Sequence, residues 1–536
     1  MMTVVRPAPA LALAMPRRVV VWPDLPLILA LALTLRVVLF NGAFGSDDGT
    51  YYQRALEIAN GQWTSANYNG ALRYGFNLPA GLLMAVFGNS IFAANLWSLL
   101  CSLVEIAAVW RVALELLGRR GAVTAALLLA SAPLHIAVAT RIHADPVVAA
   151  FLTLTYVFLF FGLRGRSALQ LFAAGLCLGA VYWVKELAAV TWVALVPMLW
   201  FVRGYWRSVV WVVGGALLMF VLNCLLMTIV SGDPFHLIRV VTGALKNNFI
   251  DGGGGEDSAS YYLRYLFVDV RHVATLGWLA LLAGALPLLA RRLGDTASGG
   301  LFVTLWLVGL LLVLSLFPVS LSPLRLTMKQ SNYISLFLAP LALAAAYTLS
   351  RLSVRAGSIA LAASPAAGVM LAMLQQADYR AFTGNSKALV EAVKAQPSAL
   401  WIGSTNNAAL GTTLTRMDGT RAALMSFREV LTDPEEYRLR STATDRVLAV
   451  IDPQTANWFA GPSPVNAPLP CWQLQGELAP ADLALGNRFA GLLGSVFTSF
   501  DVPLARKAGA LFDALAHPLP ARIYRVQGSD VWCGTH

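Results

Sequence analysis

The chain has 536 residues, of which 57% are hydrophobic and only 12% are charged, and it carries a formal net charge of +11. Because a soluble domain averages about 25% charged residues, this composition excludes a purely soluble protein. The basic excess does not indicate nucleic acid as a partner, because the arginines lie between apolar segments and not in a run with interleaved aromatic residues.

Apolar stretches of roughly 20 residues recur over the first two thirds of the chain and predict an all-α polytopic membrane domain. We place eleven transmembrane helices at 25–44, 91–117, 121–140, 146–163, 168–184, 187–202, 208–230, 273–290, 301–317, 332–350 and 357–374. Arginine pairs occur in every second connection, and positive residues mark the cytoplasmic side. The opposite, external face then holds the acidic residues and the chain after the last span. Lysine is rare beside arginine, which is typical of a GC-rich bacterial genome, so we expect the bacterial cytoplasmic (inner) membrane.

The organisation of the chain changes near residue 377. Residues 1–376 form the predicted transmembrane domain, with long external loops at 45–77 and 231–272. Residues 377–536 predict a soluble α/β domain on the periplasmic side, because helical stretches alternate there with short strand-like runs at 399–404, 446–452 and 521–526. Cys471 and Cys533 are the only cysteines of this domain, and the sequence leaves open whether they form a disulfide.

Two adjacent carboxylates, Asp47 and Asp48, stand where the chain leaves the first predicted span, in the segment GSDDGTYYQRALEIANG (45–61). One acid is enough to cap the helix that follows. Two acids in a cleft can divide labour, because one can remove a proton from a hydroxyl while the other positions it or holds a metal ion. Arg36, inside the same span, is expected to snorkel outward or to pair with one of these acids.

Other polar residues on the external face also allow a structural and a functional interpretation. Asp145 precedes Pro146 at the head of a span, which fits a helix cap as well as a catalytic acid. Lys185 stands between two spans beside Glu186, and it either snorkels, pairs with that glutamate or binds phosphate. Three further positive charges lie near predicted helix ends on the same face, namely Arg141, Arg325 and Lys329.

The segment DDGTYYQRA resembles the Asp-(Glu/Asp)-x-x-Tyr-x-x-x-Ala signature in the first external loop of GT-C glycosyltransferases, which use lipid-phosphate-linked sugars. Asp47, Asp48, Tyr51 and Ala55 take the four signature positions. Later segments are similar to further motifs of the lipid A aminoarabinose transferases and protein O-mannosyltransferases, in the same order: TRIHADPVVAAFLTL (140–154), YWVKELAAVTWVALVP (182–197), GDPFHLIRV with SYYLRYLF, and MKQSNYISLFLAPLALAAA (328–346). The resemblance covers about residues 25 to 350.

This resemblance implies an enzyme that moves a sugar from a polyprenyl phosphate to an acceptor hydroxyl on an envelope lipid, glycan or protein, with inversion at the anomeric carbon. It implies catalytic roles for Asp47, Asp48 and Asp145, with Asp47 as the general base. The side chains expected to bind the donor phosphate are Lys185, Arg325, Lys329 and Arg141. Those expected to contact substrate are Tyr51, Tyr261, Tyr262, Tyr333 and His143.

A metal ion and a different function class stay open at this point. In the aminoarabinose transferases a histidine shortly before the tyrosine pair binds metal, but Gly255 stands here, so the resemblance does not imply zinc. Asp47, Asp145 and Glu256 could still hold a divalent cation such as Mg or Mn through oxygen ligands, and no other cofactor is expected. The alternative function is a transporter or flippase of a lipid-linked envelope precursor, although such folds usually show internal repeats.

Overall fold

The computed structural model describes residues 23–202, 206–247, 258–289, 297–322, 324–417, 419, 423–457, 462–526 and 531–533. The helices of its first part are α1 (Asp24–Val38), α2 (Asp47–Ala59), α3 (Tyr74–Phe87), α4 (Ile91–Ala130), α5 (Pro133–Ala139), α6 (Asp145–Gly165), α7 (Ala168–Val184), α8 (Arg207–Ser231), α9 (His236–Leu245), α10 (Tyr261–Phe267), α11 (Leu276–Leu289), α12 (Ala297–Leu316), α13 (Ser335–Arg351) and α14 (Val354–Ala395). Three 3-10 helices, Asn69–Leu72, Glu186–Val202 and Ser331–Ile334, and a hairpin of β1 (Pro318–Leu321) and β2 (Leu324–Leu326) lie between them.

Six helices of the described residues are long and apolar enough to cross a membrane: α4, α6, α8, residues 299–316 of α12, residues 331–351 with α13, and α14. Helices α6 and α13 are the most buried of these, whereas α8 and α14 lie at the periphery and expose most of their apolar side chains. The predicted polytopic helical domain is therefore present. The predicted number of eleven spans stays a prediction, because several apolar helices, such as α7, have fewer than 18 residues.

Helix α4 contains two of the predicted spans. Gly118 has a φ of +74°, a conformation that glycine adopts without steric cost, and the helix direction changes there. The side chain of Arg119 bonds to Asp24 at the start of α1, while the carbonyl of Ala130 accepts a bond from Arg36 near the end of α1. The two segments of α4 therefore run in opposite directions along α1.

The C-terminal part folds around a five-stranded mixed sheet in the order β4-β3-β5-β7-β6, in which β4, β3 and β5 are parallel. Its elements are β3 (Ala399–Gly403), α15 (Thr405–Met417), β4 (Leu424–Ser426), α16 (Phe427–Thr432), α17 (Pro434–Thr442), β5 (Arg446–Ile451), β6 (Trp472–Leu478), α18 (Leu485–Thr498), α19 (Pro503–Ala516) and β7 (Ala521–Val526). The three strand-like runs of the sequence coincide with β3, β5 and β7. A disulfide joins Cys471 to Cys533, so the pairing that the sequence left open is formed.

Helix α14 connects the two parts of the chain without a break. The expected boundary at residue 377 falls inside this 42-residue helix, because residues 375–395 contain no proline and continue the helix beyond its apolar segment. This extension and the sheet lie beyond one end of the membrane helices. We call that end the domain side of the molecule. All the acidic residues singled out in the sequence between residues 47 and 186 lie on the domain side.

Candidate active site on the domain side

Asp47 and Asp48 begin helix α2 but point in different directions. The carboxylate of Asp48 is buried and accepts hydrogen bonds from the backbone N–H groups of Phe44, Gly45 and Ser46. It therefore fixes the turn before α2, and the structure does not place it in the site as a free catalytic acid. The side chain of Asp47 is 47% exposed, accepts a 2.6 Å hydrogen bond from the Tyr68 hydroxyl and lies 3.5 Å from a guanidinium nitrogen of Arg73.

Arg73 is the centre of the first charged group. Two of its nitrogens donate to the two oxygens of Glu186, each at 2.9 Å, and a third bond goes to the Tyr51 hydroxyl. Asn69 adds a 2.8 Å bond to the same glutamate. Burial by itself lowers the pKa of the Arg73 guanidinium, but Tyr51, Glu186 and Asp47 together hold that pKa well above its ordinary value. Arg73 is therefore a permanent positive charge between the carboxylates of Asp47 and Glu186.

Arg73 was not among the site residues predicted from the sequence, although the sequence contains a feature that points to it. It is the only charged residue between Glu57 and Glu105. A single buried arginine is costly unless a carboxylate compensates it. Its partner, Glu186, lies 113 residues later at the start of a 3-10 helix, a distance along the chain that no local pattern reveals.

The second charged group is built on Asp145. The Lys185 ammonium donates to one carboxylate oxygen at 2.8 Å, and the Nδ1 atom of His143 lies 2.9 Å from the other. The ammonium also sits 4.5 Å from the ring centroid of Tyr333, within cation–π range. Burial lowers the pKa of His143, although Asp145 opposes this effect, so the imidazole is neutral at neutral pH. Lys185 thus pairs with Asp145 and not with Glu186, which is already bound by Arg73.

The two groups form one site. Arg73 contacts both Asp47 and Glu186, and Lys185, which precedes Glu186 in the chain, contacts Asp145 and the ring of Tyr333. Burial raises the pKa of the Tyr51 and Tyr68 hydroxyls, and Asp47 raises them further, so both tyrosines stay protonated and can donate hydrogen bonds. The structure therefore brings the carboxylates of Asp47 and Asp145 to the same region, as the sequence predicted.

One of the remaining predicted cations borders this centre, and two lie in the segment that leads to Tyr333. Arg141 donates to the Asn332 side chain at 3.4 Å, and Asn332 in turn contacts His143 at 3.2 Å, so Arg141 borders the Asp145 group. Lys329 is buried in the segment before Tyr333, and Arg325 is half-buried on strand β2.

The tyrosine pair of helix α10 has two different environments. Tyr262 is fully buried, with its ring 5.3 Å from that of Phe337, so packing and not substrate contact accounts for its position. Tyr261 is half-buried against the rings of Tyr262 and Tyr265. Tyr261 is therefore the member of this pair that a substrate could reach.

The residues expected to hold a divalent cation do not fit that role. Asp47 faces Arg73, and Asp145 faces Lys185, so each carboxylate already has a cationic neighbour that repels a metal ion. Within the described ranges, no three His, Cys, Asp or Glu side chains converge as a metal-binding group. Glu256, the third expected ligand, lies outside the described residues.

Arg36 contradicts the expectation that it would snorkel or pair with Asp47 or Asp48. Its side chain is fully buried, with the Nε atom 2.8 Å from the Ser102 hydroxyl and another nitrogen 2.5 Å from His135. His135 lies 3.2 Å from Glu105, which supplies the compensating carboxylate. Sequence reasoning failed here because Glu105 and His135 are themselves inside helical segments and not on the external face.

The C-terminal domain contacts the turn that precedes Asp47. The side-chain amide of Asn406, on α15, donates to the Phe44 carbonyl at 2.9 Å, and Arg416 donates to Gln53 of α2 at 3.0 Å. Gly45 has a φ of +91°, and a Cβ atom there would lie 2.8 Å from Leu410 of α15. Helix α15 therefore packs directly on the backbone that Asp48 organises.

Comparison with known proteins finds one family model that matches part of the chain. Residues 76–227 match the family model described as dolichyl-phosphate-mannose-protein mannosyltransferase, a segment that includes Asp145 and Lys185 but ends before the C-terminal domain. A search of curated protein sequences finds no significant match.

Two solved structures of one protein share the fold, and a third solved structure matches more weakly. ArnT from Cupriavidus metallidurans bound to undecaprenyl phosphate matches with a TM-score of 0.54 and 18% identity, over 85% of this chain and 96% of that chain. Apo ArnT from the same organism gives a TM-score of 0.53 and 18% identity, over 80% and 93%. The Archaeoglobus fulgidus oligosaccharyltransferase in complex with Zn and sulfate gives 0.48 and 11% identity, over 93% and 88%. The resemblance to GT-C glycosyltransferases is thus confirmed, and the predicted enzyme class agrees with it.

Proposed function

We propose that the protein transfers a sugar from a polyprenyl phosphate to an acceptor hydroxyl at the domain side of the membrane. The observation that carries this proposal is the environment of Asp47. Of the three predicted catalytic acids, Asp48 and Asp145 are buried and held by several donors, whereas the Asp47 carboxylate is about half exposed beside the cationic group. Asp47 is therefore the acid that an incoming hydroxyl can reach and that can take its proton.

The proposed reaction is a direct displacement at the anomeric carbon. The acceptor oxygen forms a bond to that carbon, the bond from the carbon to the lipid phosphate oxygen breaks, and the hydroxyl proton goes to Asp47. The polyprenyl phosphate leaves as an anion, and the configuration of the sugar inverts. General-base assistance of this kind typically supplies roughly 10² to 10⁴ in rate.

Positive charge must stabilise the departing phosphate. The carboxylates of Asp47, Asp145 and Glu186 are offset by Arg73, Lys185 and Arg141. Lys329 and Arg325 bring two further positive charges to the segment that ends at Tyr333. We place these two charges at the site, where five cations would face the four carboxylates of Asp47, Asp48, Asp145 and Glu186, and an anionic lipid phosphate would neutralise the excess.

An apolar cavity of about 520 Å³ can receive part of the isoprenoid chain. It lies between α6, α7, α8 and the 3-10 helix Glu186–Val202, and its lining includes Leu178, Trp192, Val212 and Phe220. This 3-10 helix begins beside Lys185 and leads from the charged site to the cavity. The ArnT structure with undecaprenyl phosphate supports a lipid-phosphate donor for this fold.

The domain side is proposed to be the periplasmic side of a bacterial inner membrane. Arginine pairs flank the opposite ends of the predicted spans, as expected for the cytoplasmic side. The Cys471–Cys533 disulfide fits an oxidising compartment. A donor on a polyprenyl phosphate also fits this side, where nucleotide sugars are absent.

The test is the Asp47→Asn variant in a strain that lacks the native gene. Mass spectrometry of envelope lipids, glycans and proteins should show one sugar modification that wild type restores and Asp47→Asn does not. Asp24→Asn is the matched control, because Asp24 pairs with Arg119 at the opposite end of α1. Purified Asp47→Asn protein should still bind undecaprenyl phosphate. Full restoration of the modification by Asp47→Asn, or a flipped lipid precursor with no transferred sugar, would contradict the proposal.

A further inference from the structure

The C-terminal domain carries a helical hairpin, α18 and α19, whose outer surface is apolar. Seven large hydrophobic side chains along it are each more than 40% exposed: Leu485, Leu492, Val496, Phe500, Val502, Leu504 and Leu511. Single exposed hydrophobic residues are normal on protein surfaces, but seven on one helical hairpin indicate a surface that is covered in the working protein.

The hairpin begins where α14 leaves its apolar segment. Residues 354–374 of α14 have a length of about 31 Å at 1.5 Å per residue, which matches a hydrocarbon core about 30 Å thick. Gln375 and Gln376 follow directly. The N–H group of Gly486, in the first turn of α18, donates to the Gln376 side chain at 3.0 Å, and Asn487 donates to the Ala377 carbonyl at 3.0 Å.

Helix α1 marks the same level. The Gln376 amide also lies within hydrogen-bond distance of the Val38 and Phe40 carbonyls, at 3.3 and 3.4 Å, where α1 ends. Val37 and Val38 are about half exposed on the outer surface of α1. The first turn of α18 is therefore at the height at which the lipid-facing surface of the membrane helices ends.

The chain approaches this level from the C-terminal domain. Ala481 bonds to Gly384, and Asp482 pairs with Arg380, before Gly486 reaches Gln376, so successive contacts move along α14 toward the membrane. The end of the hairpin returns to α14 in the same way. Asn487 of α18 donates to the Leu515 carbonyl, and Asn385 of α14 donates to the Leu519 carbonyl. The hairpin is therefore the membrane-proximal end of the C-terminal domain.

We propose that the α18–α19 hairpin lies in the membrane surface on the domain side, with its apolar series in the boundary between headgroups and acyl chains. The apolar surface continues the lipid-facing surface of α1 and α14, which is why we assign it to lipid. Arg488, Arg506 and Lys507 outnumber Asp501 and Asp513 within the hairpin, so basic side chains can reach lipid phosphates. Arg506 pairs with Asp501 at the tip, which keeps that acid compensated near the surface.

This anchor has a consequence for the C-terminal domain. Helix α14 already attaches the domain to the membrane, and the hairpin would be a second attachment. Both lie at a different point from the contact of α15 with the turn before Asp47. The C-terminal domain would then keep a fixed distance from the turn before Asp47. The inference concerns the hairpin alone and holds whatever group the site transfers.

The experiment uses a nitroxide label on single cysteines in the full chain, reconstituted in nanodiscs of phosphatidylethanolamine and phosphatidylglycerol. Cys101, Cys177 and Cys224 are first replaced by alanine, and the Cys471–Cys533 disulfide is kept. Labels at Leu492→Cys, Leu504→Cys and Leu511→Cys report the hairpin. A label at Leu439→Cys is the matched control, because Leu439 is 67% exposed on α17 of the same domain.

Collisions with oxygen, which partitions into lipid, and with a water-soluble nickel chelate distinguish the outcomes. The inference predicts that the ratio of oxygen to nickel collisions shifts in favour of oxygen at all three hairpin positions, whereas Leu439→Cys favours nickel. Equal ratios at hairpin and control positions would overturn it, since the hairpin would then face water. Protection from both reagents would also overturn it, since a protein partner or a second copy would then cover the surface.

Discussion

The pairing of Arg73 with Glu186 gives the most quantitative prediction of this account. Both side chains are buried, and their charged atoms are 2.9 Å apart. At an effective dielectric constant of about 20, two unit charges at that distance attract by about 6 kcal/mol. Glu186→Gln removes the negative charge but keeps one acceptor oxygen for Arg73. We therefore expect the variant to lose stability, by at most the roughly 3 to 5 kcal/mol that a buried charge without any partner costs, because Asp47 still lies 3.5 Å from Arg73.

The double variant Arg73→Gln/Glu186→Gln separates stability from activity. Two neutral amides of similar shape leave no uncompensated charge, so the double variant should be clearly more stable than the more damaged single variant. Sugar transfer should not recover, because the positive charge between Asp47 and Glu186 is lost. Thermal unfolding of the purified protein, followed by tryptophan fluorescence, and a transfer assay on the same samples measure the two effects. Additive losses of stability in the double variant would refute the buried ion pair.

Three further predictions concern other parts of the chain. Asn406→Ala should lower turnover by about 10- to 100-fold, because the turn before Asp47 loses its hydrogen bond from α15. Binding of undecaprenyl phosphate should be unchanged. The control Gln475→Ala, at an exposed position of the same domain, should have no effect. Burial lowers the pKa of His272 to about 4, below the ordinary 6.5, so the folded protein loses up to about 3 kcal/mol of stability as the pH falls from 6.5 to 4. His272→Gln should flatten that part of the profile of stability against pH. Removal of the Cys471–Cys533 disulfide, which closes a segment of 62 residues, should lower the stability of the C-terminal domain by about 2 to 4 kcal/mol in reduced wild type and in Cys471→Ser/Cys533→Ser alike.

The sequence was informative wherever a local pattern carries the physics. Apolar runs predicted the membrane helices, and short strand-like runs predicted β3, β5 and β7. The acids Asp47 and Asp145 at the heads of helices indicated the site. These features depend on residues close together in the chain. The fold comparison with ArnT agrees with the predicted membrane fold.

The side-chain partners could not be predicted in the same way. Lys185 and Glu186 are adjacent in sequence, yet a 3-10 helix begins between them, so one points to Asp145 and the other to Arg73. Asp48 differs from Asp47 only in its position on the first turn of α2, which places it against the backbone of residues 44–46. The partners of Lys185 and Glu186 and the position of Asp48 all depend on tertiary contacts, which a pattern along the sequence does not show.

A structure of the protein with undecaprenyl phosphate in nanodiscs, determined by electron cryomicroscopy, tests the central claim most directly. The account predicts that the phosphate lies beside Lys185 and the segment from Arg325 to Lys329, with the open Asp47 carboxylate facing it. The isoprenoid chain should run along the 3-10 helix Glu186–Val202. A phosphate bound at the opposite end of the helices, near Arg119 and Arg164, would contradict the account.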